Sequence, residues 1–216
     1  MRFRGFLILI GAVLIALTFT FPLWSPLFEN TEVTTEELVV EGLPADLQAV
    51  YLALPADQQA IYSGILAQSP ENVAVMLRAA IAPPISAPEE MQALPSLTGP
   101  VEVGGGEFLR IDAIRWGQGD VTIFQQVDDS KIMRFENFSV ANGPDLRVVL
   151  SASTAPTTVE MMREGELDID LGQLAGTTGN QNYTIPADTD LSLYNSVVIY
   201  SPTVDMIYSY APLTMS

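Results

Sequence analysis

Apolar and polar positions along the chain fall into three regimes. Residues 6–24 are apolar almost without a break, Thr18 and Thr20 being the polar interruptions. As a helix those nineteen residues would span roughly 28 Å, about the thickness of a bilayer's hydrocarbon core. From Leu43 to Ile81 the apolar positions follow helical spacing instead. Leu43-Pro44-Ala45-Asp46-Leu47-Gln48-Ala49-Val50-Tyr51 recurs eleven residues later as Leu54-Pro55-Ala56-Asp57-Gln58-Gln59-Ala60-Ile61-Tyr62. Proline in a first turn forgoes no hydrogen bond, and the aspartate after it faces the positive end of the helix dipole, so each copy predicts a helix start. A third start follows at Ser69-Pro70-Glu71, with Ser69 as N-cap and Val73, Leu77 and Ile81 on one stripe. The expectation is three short helices over residues 44–81, a core too small to stand without the rest of the chain or a partner.

Beyond Gly104-Gly105-Gly106 the period drops to two. A first strand pair or bent strand is predicted over residues 107–116, and strands over 120–127, 132–140, 146–151, around 167–171, and over 183–185, 197–201 and 204–210. Turn signals separate them, among them Gly117-Gln118-Gly119, Asp128-Asp129-Ser130 and Asn142-Gly143-Pro144-Asp145. Many short strands between regular turns predict an antiparallel β-sandwich. Between the helical and the β regimes stand five of the fifteen prolines, Pro83, Pro84, Pro88, Pro95 and Pro100. The restricted backbone before each proline makes that stretch an extended linker.

The organisation is therefore mainly β: an antiparallel sandwich over residues 103–216, preceded by an N-terminal transmembrane helix (1–24), an acidic stalk (25–42), a short three-helix bundle (43–82) and a Pro-rich linker (83–102). Arg2 and Arg4 favour a cytoplasmic N-terminus, and Trp24 suits the opposite interface. The expected location is the cell membrane, crossed once, with the bulk of the chain outside the cytoplasm. A cleaved signal peptide is the alternative. Nothing like Ala-x-Ala precedes Ser25-Pro26, so the segment is read as an uncleaved anchor.

Charge and composition narrow the function. The formal net charge is −17, and because Arg2 and Arg4 lie at the extreme N-terminus the remainder is more acidic still. Such a surface repels phosphate backbones, so nucleic acid is not an expected partner. Cysteine and histidine are both absent. Disulfides, thiolate catalysis, iron–sulfur clusters, a lipoprotein anchor and the commonest zinc and copper ligands go with them.

Three motifs carry a family resemblance. They are Arg134-Phe135-Glu136-Asn137-Phe138, the run from Asn142-Gly143-Pro144-Asp145 through Leu146-Arg147-Val148, and Leu171-Gly172-Gln173-Leu174 followed by Gly179-Asn180-Gln181-Asn182-Tyr183-Thr184-Ile185-Pro186. Over roughly residues 103–214 the chain resembles the DM-thirteen domain family, small extracytoplasmic β-domains found as companions of DOMON domains. The resemblance implies a β-fold and an extracytoplasmic compartment, together with a proposed role in electron transfer. That role leans on a late cysteine, in a stretch similar to Val-Val-Ile-Trp/Tyr-Cys. Here the stretch is Val197-Val198-Ile199-Tyr200-Ser201, and a serine hydroxyl has no accessible redox couple.

Candidate chemistry is sparse. Without His or Cys there is no Ser-His or Cys-His nucleophile pair, no Gly-x-Ser-x-Gly elbow occurs, and the triple glycine lacks a phosphate-loop lysine, so no catalytic residue is assigned and the chain is not expected to be an enzyme. Asp128 with Asp129, Asp168 with Asp170 and Asp188 with Asp190 have the spacing of loop oxygen ligands, but no calcium loop is complete, and they read as turn carboxylates. No cofactor or metal is assigned. Asn137-Phe138-Ser139 and Asn182-Tyr183-Thr184 fit the glycosylation pattern but fall inside predicted strands. The candidate recognition patch is Arg134, Asn142, Asp145 and Arg147 around the central turn. Its structural alternative has Asp145 capping its own turn and one arginine pairing with it. The expected function is a membrane-anchored, non-catalytic binding or assembly module for a protein or cell-surface partner. The runner-up is a structural component of a membrane-associated electron-transfer system.

Overall fold

The computed structural model describes residues 40–93 and 95–216, so the expected membrane helix lies outside the described residues. Among the described residues no helix is long and apolar enough to cross a membrane. Residues Glu41–Ser216 form one compact unit.

Three helices open it: α1 (Ala45–Leu52), α2 (Ala56–Leu66) and α3 (Pro70–Ala80). Both copies of the Leu-Pro-Ala-Asp repeat start a helix as expected, with Pro44 and Pro55 in the N-cap position. Ser69 caps α3 through its backbone carbonyl, which accepts from Asn72 and Val73, and its hydroxyl makes no capping bond. Val73 and Leu77 are fully buried, whereas Ile81 is 57% exposed. The predicted stripe stops one turn early because α3 ends at Ala80 and leaves Ile81 as its C-cap.

Nine strands follow in two antiparallel sheets: β1 (Val101–Glu107), β2 (Gly117–Gln125), β3 (Lys131–Val140), β4 (Arg147–Ser151), β5 (Ile169–Gln173), β6 (Gln181–Ile185), β7 (Ser196–Ser201), β8 (Met206–Pro212) and β9 (Thr214–Met215). One sheet has the order β6-β3-β2-β1-β9 and the other β5-β4-β7-β8. The expected mainly β, antiparallel fold is therefore present. Its first strand is not where alternation put it. β1 runs through the triple glycine, and residues 108–116 form a loop rather than a strand. Any Cβ on Gly106 would strike the backbone carbonyl of Pro212, at the end of β8 in the other sheet, so the glycines are placed by crowding and not by turning. Likewise Gly117 and Gly119 belong to β2, where a bulge, rather than a turn, absorbs Gly119.

That bulge explains the Arg-Phe-Glu-Asn-Phe motif. Strict alternation would send Phe135 and Phe138 to opposite faces. Asn137, at φ 51°, adds a residue to β3 opposite Gly119 and resets the phase. Both phenylalanines then face inward, and their rings lie 4.9 Å from that of Phe108, with Tyr183 5.2 Å from Phe135. This aromatic cluster is the heart of the sandwich.

The second sheet is covered on both faces. Val197 and Ile199 face inward, while Val198 and Tyr200 join Val149, Ile207, Val159 and Met162 beneath the short helix α5 (Val159–Met162). The unbroken apolar run of β7 follows from that double burial.

The proline-rich stretch lies against the sandwich. Ser86 makes a parallel bridge to Thr178, with Ala87 donating to Thr178 and Thr178 donating to Ile85. The one-turn helix α4 (Glu89–Gln92) then crosses the outer face of the first sheet. Together these contacts hold the helical bundle and the sandwich in one unit.

Candidate functional site

The family motifs converge on internal hydrogen bonds. Gln181 is fully buried, and its side-chain carbonyl accepts from Ala175 N, Gly176 N and the Tyr183 hydroxyl, the last at 2.6 Å. Its amide returns a bond to Gly176 O at 2.7 Å. Tyr183 also accepts from Ala175 N, and burial pushes its pKa up to about 12. Every polar atom of this pair is thus engaged in holding the loop before β6, on which the 85–87 segment docks.

Ser201, which stands where the resemblance places a cysteine, is fully buried and donates its hydroxyl to Pro144 O. The neighbouring Gly143 has no room for a side chain, because a Cβ there would meet ring carbons of Tyr208. The Asn-Gly-Pro-Asp turn and the end of β7 are therefore locked together through backbone and ring contacts.

The four residues of the expected patch do not gather. Arg134 points outward from the first sheet but is 5% exposed. Its guanidinium reaches Glu136 and the side-chain carbonyl of Asn182, each at 2.9 Å, and the backbone carbonyls of Gln92 and Ala93. Asn182 completes the clamp by donating to Met91 O at 2.6 Å, so both residues fix the end of α4. Asp145, in left-handed conformation, and Arg147 share the other sheet's turn, where Arg147 pairs with Asp170 at 2.6 Å and not with Asp145. Asn142 alone faces away, donating to Ala82 O at 2.6 Å across to the helical bundle.

Asn142 leads to a cavity of about 360 Å³ at the seam between bundle and sandwich. Helices α1 to α3 supply Val50, Tyr62 and Leu77; the loop after β1 supplies Ile114 and Trp116; the end of β3 supplies Val140. The walls are largely apolar, and no charged residue lines them. Its two side-chain amides are already engaged, Gln58 with Ala113 O at 3.4 Å and Asn142 with Ala82 O.

Tyr62 is different. It is 4% exposed, and its hydroxyl has no hydrogen-bond partner among the described residues. Burial and the nearby Asp112 carboxylate push its pKa up to about 12, so it remains a neutral donor at neutral pH. The equivalent tyrosine of the first repeat copy, Tyr51, donates to Gln59 O at 3.2 Å. Behind Tyr62 lies Tyr208, whose buried hydroxyl also lacks a partner among the described residues. Burial raises its pKa, Tyr62 raises it further, and Arg115 opposes them. A buried donor left unpaired costs about 1–3 kcal/mol. Of the two phenols, the Tyr208 hydroxyl is the one fully buried and unpaired among the described residues.

Sequence reasoning did not single out Tyr62, Trp116 or Tyr208. The only available signal was the matched Tyr51 and Tyr62 of the repeat. The paired aspartates are turn formers: Asp128 and Asp190 accept from Ser130 and Ser192, and Asp170 holds Arg147 and Gly172 N. Those serine bonds hold the carboxyls of Asp128 and Asp190 below the usual range. No group of three acidic side chains able to hold a metal ion occurs among the described residues.

Comparison with known proteins bears on the sandwich rather than the seam. No curated protein and no solved structure matches the chain. A family model described as "Electron transfer DM13" matches residues 98–213, more than half of the sequence and the whole of the region that carries the three motifs. On that match the chain belongs to the DM13 family.

Proposed function

We propose that this chain is a non-catalytic binding or assembly module, held at the cell membrane by its N-terminal segment and displayed outside the cytoplasm. Its partner is a protein or cell-surface component, engaged at the seam between helical bundle and sandwich. The observation that carries this reading is the contrast between the motif pair Gln181 and Tyr183, whose polar atoms are all engaged, and a seam cavity lined by Tyr62, whose hydroxyl has no partner among the described residues. The basic start and the apolar stretch over residues 6–24 support the location.

The test compares capture by wild type and Ala80→Trp, since Ala80 lines the cavity from an exposed helix face. Cross-linking on intact cells should retain a companion with wild type that Ala80→Trp loses at unchanged melting temperature. An identical set of companions from both variants overturns the seam as the binding surface. Protease added outside intact cells should remove the sandwich, and complete protection would refute the orientation.

The family description favours a second reading, in which the chain is a structural component of a membrane-associated electron-transfer system. The residues argue that any redox group belongs to a partner, since cysteine and histidine are absent and Ser201 is bonded to Pro144. A companion with a visible absorption band, whose reduction slows when this chain is deleted, would favour that reading. A colourless companion would remove it.

A further inference from the structure

Resting on the seam as the binding site, we infer that its cavity takes a small, neutral, largely apolar molecule bearing one hydrogen-bond acceptor, such as a planar aromatic ketone, with the Tyr62 hydroxyl as donor. Size comes first. A volume of about 360 Å³ falls at the small end of ligand pockets, roughly 300–1,000 Å³. It holds a compact molecule and not a folded segment. Chemistry comes next. The lining carries no charge, and Trp116 and Tyr62 add aromatic surface to aliphatic walls from Val50, Leu77 and Val140.

Polarity is then decided by which groups remain free. Gln58 and Asn142 are engaged with backbone carbonyls. The Tyr62 hydroxyl makes no hydrogen bond to another described residue; like the Ser139 hydroxyl of the same lining it can donate or accept, and of the two the phenol is the stronger donor. An anion is disfavoured by Asp112, close enough to act on the Tyr62 phenol, and by a chain of net charge −17. A cation finds no carboxylate in the lining. What remains is a neutral acceptor on an apolar body. The Arg110 guanidinium stacks over Trp116 at 6.0 Å and steadies that wall.

The test uses the full chain in detergent and three probes of one shape: 2-acetonaphthone, 2-ethylnaphthalene and 2-naphthoate. Equilibrium dialysis with detergent on both sides removes partitioning from the comparison. The ketone should bind about 5- to 10-fold tighter than the hydrocarbon, the value of one added hydrogen bond, and naphthoate should bind weakest. Tyr62→Phe should bring the ketone down to the hydrocarbon and leave the hydrocarbon unchanged. Ala80→Trp should abolish both.

Equal binding of ketone and hydrocarbon in wild type, or an undiminished ketone advantage in Tyr62→Phe, overturns the acceptor and the donor assigned to it. If no probe binds while Ala80→Trp still loses its companion, the ligand class falls and the seam reading stands. Probes that bind as expected with companions unaffected by Ala80→Trp would instead keep the small-molecule site and remove the assembly role.

Discussion

Two regions of this molecule are built from the same materials and treat them oppositely. Around Gln181 and Tyr183, a buried amide and a buried phenol satisfy each other and three backbone groups. Tyr62 at the seam and Tyr208 behind it are buried to the same degree, yet neither hydroxyl has a partner among the described residues, and that of Tyr208 is closed off from solvent too. A stable fold has every reason to adopt the first arrangement and none to keep the second. The difference separates the part of the family motif that makes the sandwich from the part of the chain where we propose recognition.

The largest test of that contrast is Gln181→Ala. It leaves the Gly176 amide and carbonyl and the Tyr183 hydroxyl proton unpaired inside the protein and takes one of two acceptors from the Ala175 amide. At about 1–3 kcal/mol for each unsatisfied group, partly relieved by relaxation, the loss should be about 3 kcal/mol or more. For a domain of this size that lowers the melting temperature by roughly 6–12 °C. A fall of a degree or two in calorimetry would mean that the loop before β6 is not organised by this residue.

Gly143→Ala comes second. The added methyl would sit on the Tyr208 ring, and overpacking of this kind costs about 1–3 kcal/mol. Tyr208 must give way toward the seam, so the variant should also alter probe binding at the cavity. Unchanged stability would show that the turn and the ring do not press on each other.

Much of the sandwich was legible because its side chains alternate and its turns use Asp, Asn and Gly. The rest was hidden for identifiable reasons. β1 passes through Gly104-Gly105-Gly106, where there are no side chains to alternate, and its glycines are selected by Pro212 and Met215 far along the chain. The loop over residues 108–116 reads as a strand because Phe108 and Ile114 are buried, yet its bonds run from Leu109 to Tyr210 and from Ile111 to Arg115. Local pattern also cannot see a bulge, so Asn137 concealed why Phe135 and Phe138 share a face. The seam was invisible for a stronger reason: it is made by contacts between Gln58 and Ala113 and between Asn142 and Ala82. None of these follows from periodicity. The residues of the patch around Arg134 likewise lie apart, because neighbours in a motif separate when the chain changes sheets.

Ser201→Cys is a smaller and more pointed change. It restores the residue that the family resemblance attaches to redox chemistry, at a site where the native hydroxyl is buried and bonded to Pro144 O. A thiol is a weak donor, so about 1 kcal/mol should be lost. In the folded protein the thiol should resist a water-soluble disulfide reagent and react only after denaturant is added. Rapid reaction under native conditions would show that the position is accessible, and would reopen the electron-transfer role for relatives that carry the cysteine.

The smallest expected effect is the most informative when measured as a pair. Tyr183→Phe removes a hydroxyl with two partners, Gln181 and Ala175 N, and should cost about 1–2 kcal/mol. Tyr62→Phe removes a hydroxyl with no partner among the described residues and should cost nothing or stabilise slightly. High pH reads the same two groups. Both folded pKa values are raised to about 12 from an ordinary 10.0, so the stability each contributes is full below pH 10 and is lost as pH rises toward 12. Each phenylalanine variant should therefore show a shallower alkaline loss of stability than wild type, although only Tyr183→Phe starts lower at neutral pH. Equal costs at neutral pH would mean that the Tyr62 hydroxyl is as well satisfied as that of Tyr183, and the seam would lose the free donor on which the proposed recognition there rests.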